Sequence, residues 1–410
     1  MRWLGALTLL VIVSCVERVD VLGPLPVASG GGGSSGQGGR SDGGQGGGTP
    51  PAPPVFDQVS AAFRHTCAIA DGELFCWGRN DRGTLGVGDQ MRRIVPTRVG
   101  ADADWSEVAT GAAFTCALRT SGSVWCTGSN DRGELGLGDF DDRTDLTFVS
   151  TAAPVSGIGG TRFHMMAILL DGSLWAWGEN AEGQLGQADP FPGEGVDRNL
   201  PTRVEDENDW TVAEGADGHS CGIRGGALWC WGRNDRGQLG IGAGAPGQIR
   251  IPQLVDGPTN WIQVRGGQGH SCGRRDDGTL WCWGENEFNQ LGLGESVTAK
   301  TPQQVGSDAD WKDMSLATFH TCAVKTDGTL WCWGRNVEGQ LGTGDFEPRE
   351  FPTQVGSHDD WDAVSNGRFH TCARKRDGSI WCTGQNNEGQ LGVGDLDTRT
   401  SMTPVVLPMP

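Results

Sequence analysis

Apolar and polar positions alternate in short runs along this chain, and the runs return in the same order seven times. In the sixth unit, residues 311–315 open one run behind Trp311, and residues 318–324 (Thr-Phe-His-Thr-Cys-Ala-Val) make a second. Residues 328–334 (Gly-Thr-Leu-Trp-Cys-Trp-Gly) are a third, residues 335–344 a Gly-rich return, and residues 352–355 a fourth extended piece. The second and third runs alternate with period two around an Asp-Gly, which predicts a β-hairpin. A Leu-Gly step marks every unit: Leu85-Gly86, Leu135-Gly136, Leu185-Gly186, Leu239-Gly240, Leu291-Gly292, Leu341-Gly342 and Leu391-Gly392. The steps lie 50, 50, 54, 52, 50 and 50 residues apart. A period near 50 built from short strands is the pattern of a propeller or a similar array. Each unit then exists mainly to bury its neighbours, so residues that recur in every unit are expected to be architectural.

The hairpin register follows from the spacing of its cysteines. Cys322 and Cys332 are ten apart, which centres a three-residue loop on Asp327 and leaves Gly328 in the left-handed position such loops need. Cys67 and Cys76 are nine apart, and the loop shrinks to Asp71-Gly72; for Cys221 and Cys230 it is Gly225-Gly226. Loop length changes by one while the two cysteines stay opposite each other. The third run carries Trp331 and Trp333 on one side and Cys332 on the other, so both faces of each small sheet must be covered. Sheets stacked between like sheets meet that demand.

An open stack needs polar capping units at its ends, and the first and last units are as regular as the rest. Extended segments at 96–99, 146–149, 201–204, 252–255, 302–305 and 352–355 each follow a unit, and residues 404–407 repeat the pattern at the C-terminus. A Pro-rich stretch, 50–54, stands before the first unit. The expected fold is therefore all-β: a seven-bladed β-propeller of four-stranded blades over residues 55–410, its ring closed by the C-terminal strand completing the first blade.

The phrase His-Thr-Cys-Ala, then Asp-Gly-x-Leu-Trp-Cys-Trp-Gly-x-Asn-x-x-Gly-Gln-Leu-Gly-x-Gly-Asp, stands most fully at 320–345 and, with Thr383 for the second Trp, at 370–395. It resembles the repeat of the regulator of chromosome condensation family, and the resemblance covers about residues 55–410. It implies a seven-bladed propeller, in agreement with the count above. For function it implies less, because a superfold hosts many roles. Some members are exchange factors that push a hairpin wedge into a small GTPase; here the longest spacing exceeds the shortest by four residues, too little for such a wedge. A secreted bacterial propeller of similar build inhibits a β-lactamase purely by protein binding.

The two ends and the charge narrow the setting. Residues 1–14 read as a lipoprotein signal peptide: Arg2, an apolar run from Leu4 to Val13 too short to span a membrane, then Ile12-Val13-Ser14-Cys15. The last four resemble a bacterial lipobox, with Cys15 the lipidated residue; an ordinary secretory signal is the alternative. No Asp follows Cys15, which by analogy with lipoprotein sorting favours the outer membrane. Residues 15–54 are largely Gly, Ser and Pro, a composition that buries no core, and form a tether spanning roughly 30–35 Å. The formal net charge of −19 disfavours nucleic acid as a partner.

With Cys15 assigned to lipid, the other twelve cysteines fall into pairs. Cys67 goes with Cys76, Cys116 with Cys126, Cys221 with Cys230, Cys272 with Cys282, Cys322 with Cys332, and Cys372 with Cys382. The third unit has Met166 and Ala176 at both positions together, as expected for a covalent pair. Zinc is the rival, since His65 and Cys67 share a face with Cys76. The second unit, however, keeps its cysteines with Phe114 in place of the histidine, and the third keeps His164 without cysteines. Disulfides in an oxidising compartment are therefore expected, placed at non-hydrogen-bonded sites of the hairpin.

Three further sets of residues invite a chemical reading. His65, His164, His219, His270, His320 and His370 occupy one repeated position and are expected to be packing and hydrogen-bonding devices. Asp104, Asp209, Asp310 and Asp360, with Asn260, precede the opening Trp of their units and are expected to cap turns rather than to form a cation-binding rim. Gly-rich runs such as 83–88 lack the Lys-Ser/Thr and helix of a phosphate loop. The third unit lacks the opening Trp and is followed by the longest insertion, 187–200, with Phe191 and Pro192 as a candidate docking edge.

No catalytic, cofactor or metal residues are expected. The sequence leads to a monomeric cell-envelope lipoprotein whose propeller binds a protein or glycan, touching the membrane only through its lipid. An inhibitor or regulator of an envelope enzyme, and a polysaccharide-active enzyme with its site in the central funnel, are the other classes. The last would need blade-specific ionisable residues converging on one face, which the repeats do not display.

Overall fold

The computed structural model describes residues 54–160, 162–187 and 195–407. These residues form seven antiparallel sheets of four strands each, and no helix occurs among them. The sixth blade shows the pattern: strands Trp311–Leu316, His320–Lys325, Leu330–Gly334 and Arg349–Gln354, paired in that order. First strands of successive blades adjoin one another and surround a central channel. The second strand is buried along its whole length because neighbouring blades cover both of its faces.

Register matches the cysteine spacing. Cys322 lies opposite Cys332, and Lys325 and Thr329 close the hairpin around a Thr326-Asp327-Gly328 loop. Gly328 has φ +87°, and a Cβ there would sit 2.1 Å from the Asp359 carbonyl oxygen. Only glycine fits. The shorter loop of the first blade puts Asp71 and Gly72 both at positive φ, 50° and 77°, as a two-residue primed turn requires.

Each expected cysteine pair is a disulfide inside its own hairpin. Cys67 is bonded to Cys76, Cys116 to Cys126, and Cys221 to Cys230. Cys272 is bonded to Cys282, Cys322 to Cys332, and Cys372 to Cys382. In all six the Cα atoms are 4.1 Å apart, the close spacing of a non-hydrogen-bonded pair. Cys126, Cys282 and Cys382, on the third strands of their blades, are fully buried, so these bonds lie inside the stack of sheets.

The apolar cores lie between blades rather than within them. One joins Cys322, Leu330, Leu341 and Val355 of the sixth blade to Trp361, Val364 and Ala373 of the seventh. Another joins Cys372, Ile380, Leu391 and Val405 of the seventh to Phe56, Val59, Ala68 and Trp77 of the first. The second of these closes the ring.

Closure differs from the expectation in one respect. The last strand, Arg399–Pro404, pairs with Ile380–Gly384 and completes the seventh blade, not the first. The first blade supplies its own inner strand, Phe56–Ala61, directly after the Pro-rich stretch. Phe56 takes the place that Trp holds in five other blades, so that strand lacks its usual mark. Every blade is thus complete in sequence order, and side-chain packing with a few backbone and side-chain hydrogen bonds seals the seam. Phe56 N donates to Gly378 O (3.1 Å), Arg368 N to Ala62 O (3.1 Å), and Trp77 Nε1 to Gln390 O (3.0 Å).

Candidate functional site

The recurring residues prove to be joints. His320 Nε2 lies 2.9 Å from the Thr371 hydroxyl of the next blade, and that hydroxyl donates to Gln340 O. The same chain runs from His164 to Ser220, His219 to Ser271, His270 to Thr321, and His370 across the seam to Thr66. A hydroxyl has one proton, and it is committed to the carbonyl. Nε2 must therefore carry the proton it shares, and since burial disfavours the charged ring, the neutral Nε2–H form results. Burial pushes all six of these rings, His65 included, down to about 3.

One joint is built differently. Phe114 replaces histidine in the second blade, and Met165 replaces the hydroxyl residue in the third; the two share one apolar core. The polar pair has been exchanged as a unit for an apolar one. Trp177 Nε1 still donates to the carbonyl there, Glu134 O, at 2.8 Å. Glu134 itself stands where the five later blades place Gln184, Gln238, Gln290, Gln340 and Gln390. Burial pushes its carboxyl up to about 7.

The face carrying the second-to-third-strand hairpins repeats a second device. Arg119 lies over both Trp105 and Trp125, Arg224 over Trp210 and Trp229, Lys325 over Trp311 and Trp331, and Lys375 over Trp361 and Trp381. Acids close each box: Asp104 reaches Arg119 at 3.6 Å, Asp310 reaches Lys325 at 3.1 Å and Asp360 reaches Lys375 at 3.1 Å. Asp104, Asp310 and Asp360, expected to cap turns, thus pair with a cation held between two indoles, whereas in the fourth blade Glu205 and Glu207 rather than Asp209 reach Arg224, at 3.2 and 3.4 Å. This face is structural.

The channel wall does bring blade-specific ionisable residues together, contrary to the sequence reading. Glu107, Glu214 and Arg265 line it with Gln58, and on the same first strands Gln263 donates to Asp313 at 2.8 Å. Most are already engaged. Glu107 accepts from Ile158 N (3.2 Å), Asp313 from Val364 N (3.1 Å), and Gln58 from Val108 N (2.8 Å). These are amides on the free inner edge of the next blade's first strand, so each side chain satisfies a donor that no further strand can reach. Glu214 pairs with Arg265 at 3.0 Å. The carboxylates hold the wall rather than wait for a substrate. His65 and Cys67, weighed together as zinc ligands, are likewise engaged, one with Thr115 (3.0 Å) and the other in a disulfide.

At the opposite face the channel opens among the loops joining first to second strands, and its cavity holds about 220 Å³. Here one position differs in almost every blade: Phe63, Ala112, Arg162, Asp217, Gln268, Thr318 and Arg368. Arg162 reaches past the small Ala112 toward Phe63, its guanidinium carbon 5.2 Å from the ring centre, and is clasped by both Asp217 oxygens at 2.9 and 2.8 Å. Arg368 lies 4.8 Å from the centres of Phe63 and Phe369. Sequence reasoning missed this ring. The available signal was variability two residues before a repeated histidine position.

Cys15, the signal peptide, all but the last residue of the tether, and Phe191 and Pro192 lie outside the described residues. Described chain resumes at 195 and enters the third blade's outer strand, Arg198–Arg203.

Comparison with known proteins follows the geometry. A family model described as RCC1-like domain matches residues 26–306, and models of the RCC1 repeat match 327–374 and 361–390. The Xenopus laevis RCC2 homolog is 38% identical over 76 residues, 18% of this chain and 14% of that protein. The Arabidopsis thaliana ultraviolet-B receptor UVR8 is 30% identical over 249 residues, 58% of this chain and 43% of that one. The chain thus spans less than half the length of these curated relatives. Among solved structures, yeast RCC1 (Prp20), seen with Kap60, superposes with a TM-score of 0.70 at 19% identity, covering 87% of this chain and 85% of its own.

Proposed function

The chain belongs to the family of RCC1-like domains, and on that footing we propose that it is a non-catalytic scaffold that binds a protein through its channel-mouth face. One observation carries the reading. Residues peculiar to single blades gather around the mouth, whereas the hairpin face repeats one structural box and the joints repeat one hydrogen-bond chain. Yeast RCC1 (Prp20), a propeller of the same shape, has been seen with Kap60 bound, which supports a protein as the occupant.

The setting belongs to the same proposal. The chain is exported, lipid-anchored at Cys15, and carried on the tether at an outer membrane. Six disulfides favour an oxidising compartment. The described chain starts beside Gly378 on the hairpin face, to which Phe56 N is bonded, and its last residues run toward that same face. A tether attached there leaves the channel mouth directed away from the membrane.

Two measurements test these halves separately. Metabolic labelling with a palmitate analogue should mark the chain and be lost in Cys15→Ser; labelling that persists would remove the anchor. In a binding assay with captured partner, Gln268→Lys and Thr318→Arg at the mouth should weaken retention at least ten-fold, while Asp276→Lys on the hairpin face should not. The reverse pattern would contradict the face assignment.

A further inference from the structure

Resting on that reading, we propose that Arg368 is a seat for a single carboxylate group, an acidic side chain presented by the protein partner. The molecule contains its own template for such a seat. Arg162 of the third blade and Arg368 of the seventh occupy the same loop position, both stack on phenylalanines, and both reach Phe63. For Arg162 the following blade supplies Asp217, which accepts from one guanidinium nitrogen with both carboxylate oxygens. For Arg368 the residue of the following blade at that position is Phe63. The aromatic platform is present and the carboxylate is missing.

The consequences for Arg368 are physical. It makes no ion pair among the described residues; its buried Nε finds no acceptor, as is true of Arg162 too, so what sets the two apart is the carboxylate on the Arg162 Nη1. Burial, together with the Arg162 and Arg64 guanidiniums, holds it below the usual arginine range. A half-buried cation with an unanswered donor carries a desolvation cost that an incoming anion would offset. The unbalanced cation sits at the mouth of a channel of about 220 Å³, open to solvent, in a chain of net charge −19.

Surrounding charge selects the kind of anion. Arg162 is already neutralised by Asp217 and Arg64 is paired with Glu388 at 3.5 Å, so the mouth offers one net positive charge. Glu107 and Glu214 lie deeper in the channel and oppose a polyanion threading inward. A monoanion with a planar pair of oxygens fits the guanidinium fork, and the phenylalanines accept the carbon chain that carries it.

The test uses the full chain with arginine Nε–H groups followed by nitrogen-15 NMR during titration. N-acetyl-aspartate α-methylamide, whose only carboxylate is the side chain, should shift the Arg368 signal saturably in the millimolar range, and the uncharged N-acetyl-asparagine α-methylamide should not. Arg368→Met should abolish saturation, with an unchanged fold shown by its melting curve, while Arg275→Gln on the hairpin face should leave it intact. Saturation that survives Arg368→Met, a flat response to the carboxylate, or phosphate binding ten-fold more tightly than N-acetyl-aspartate α-methylamide would overturn the proposal. The titration needs no partner, so its failure would remove the seat while the mutational assay of the two faces still decides where the partner binds.

Discussion

At the scale of single residues, the joints between blades make sharp claims. Replacing His270 by Phe removes a bond to Thr321 inside the core and should cost about 1–3 kcal/mol. Adding Thr321→Met should recover a large part, because Trp333 still donates to Gln290 O, as Trp177 does to Glu134 O beside the Phe114 and Met165 pair. Chemical denaturation of the double-mutant cycle checks this, and strictly additive losses would contradict it. Glu134 gives a second claim. Its folded value, about 7, lies above the ordinary 4.5, so its burial is tolerated at low pH and becomes a cost as pH rises through 7. Glu134→Gln should melt like the parent at pH 4.5 and higher than it at pH 8, by roughly 1–3 kcal/mol of stability. An equal gain at both pH values would show that ionisation is not the cause. The histidine joints were legible as a repeated architectural position, but their hydroxyl partners were not, since each lies on another blade, 51 residues away for His320 and 304 for His370 across the seam.

Blades and strands come next in scale. The hairpin with its cysteines opposite was readable because loop length and cysteine spacing change together. Cys116 with Cys126, Cys272 with Cys282 and Cys372 with Cys382 keep the ten-residue spacing, and all three face each other in register. The inner strand Phe56–Ala61 was not readable, because Phe56 lacks the indole that marks five of the other opening strands and stands two residues after Pro54. That one unread strand explains why the C-terminal segment was assigned to the wrong blade. The third blade's lack of a disulfide yields a prediction of its own. Met166 and Ala176 face each other in the register that holds Cys322 and Cys332 elsewhere. Met166→Cys with Ala176→Cys should close a bridge without rearrangement and raise stability by about 2–3 kcal/mol in the chain-entropy model. Mass spectrometry and melting before and after reduction would check it; two free thiols in the folded variant would speak against the shared register.

The whole molecule behaves as one ring of seven coupled joints, and acid should open it. Six buried histidines stay neutral down to about pH 3 when folded but take up protons near 6.5 when unfolded. The stability they confer is complete above 6.5 and falls with pH below it, each by about 1.4 kcal/mol per unit. Unfolding near pH 5 with uptake of about six protons is the expected outcome in an acid titration followed by tryptophan fluorescence. Stability that is flat from pH 7 to 4 would contradict it. Function was the least legible level, because the proposed binding face is built from residues that differ between blades, and these are lost when the repeats are averaged. The mouth residues announce themselves only after the loops are placed in a ring. The most direct measurement of the central claim is photocrosslinking in the producing cell from single probe residues at Gln268 and Thr318 on the mouth and at Asp276 and Asp327 on the hairpin face. One and the same protein captured from both mouth positions, and from neither hairpin position, is the predicted result. Capture from the hairpin positions instead would contradict the account.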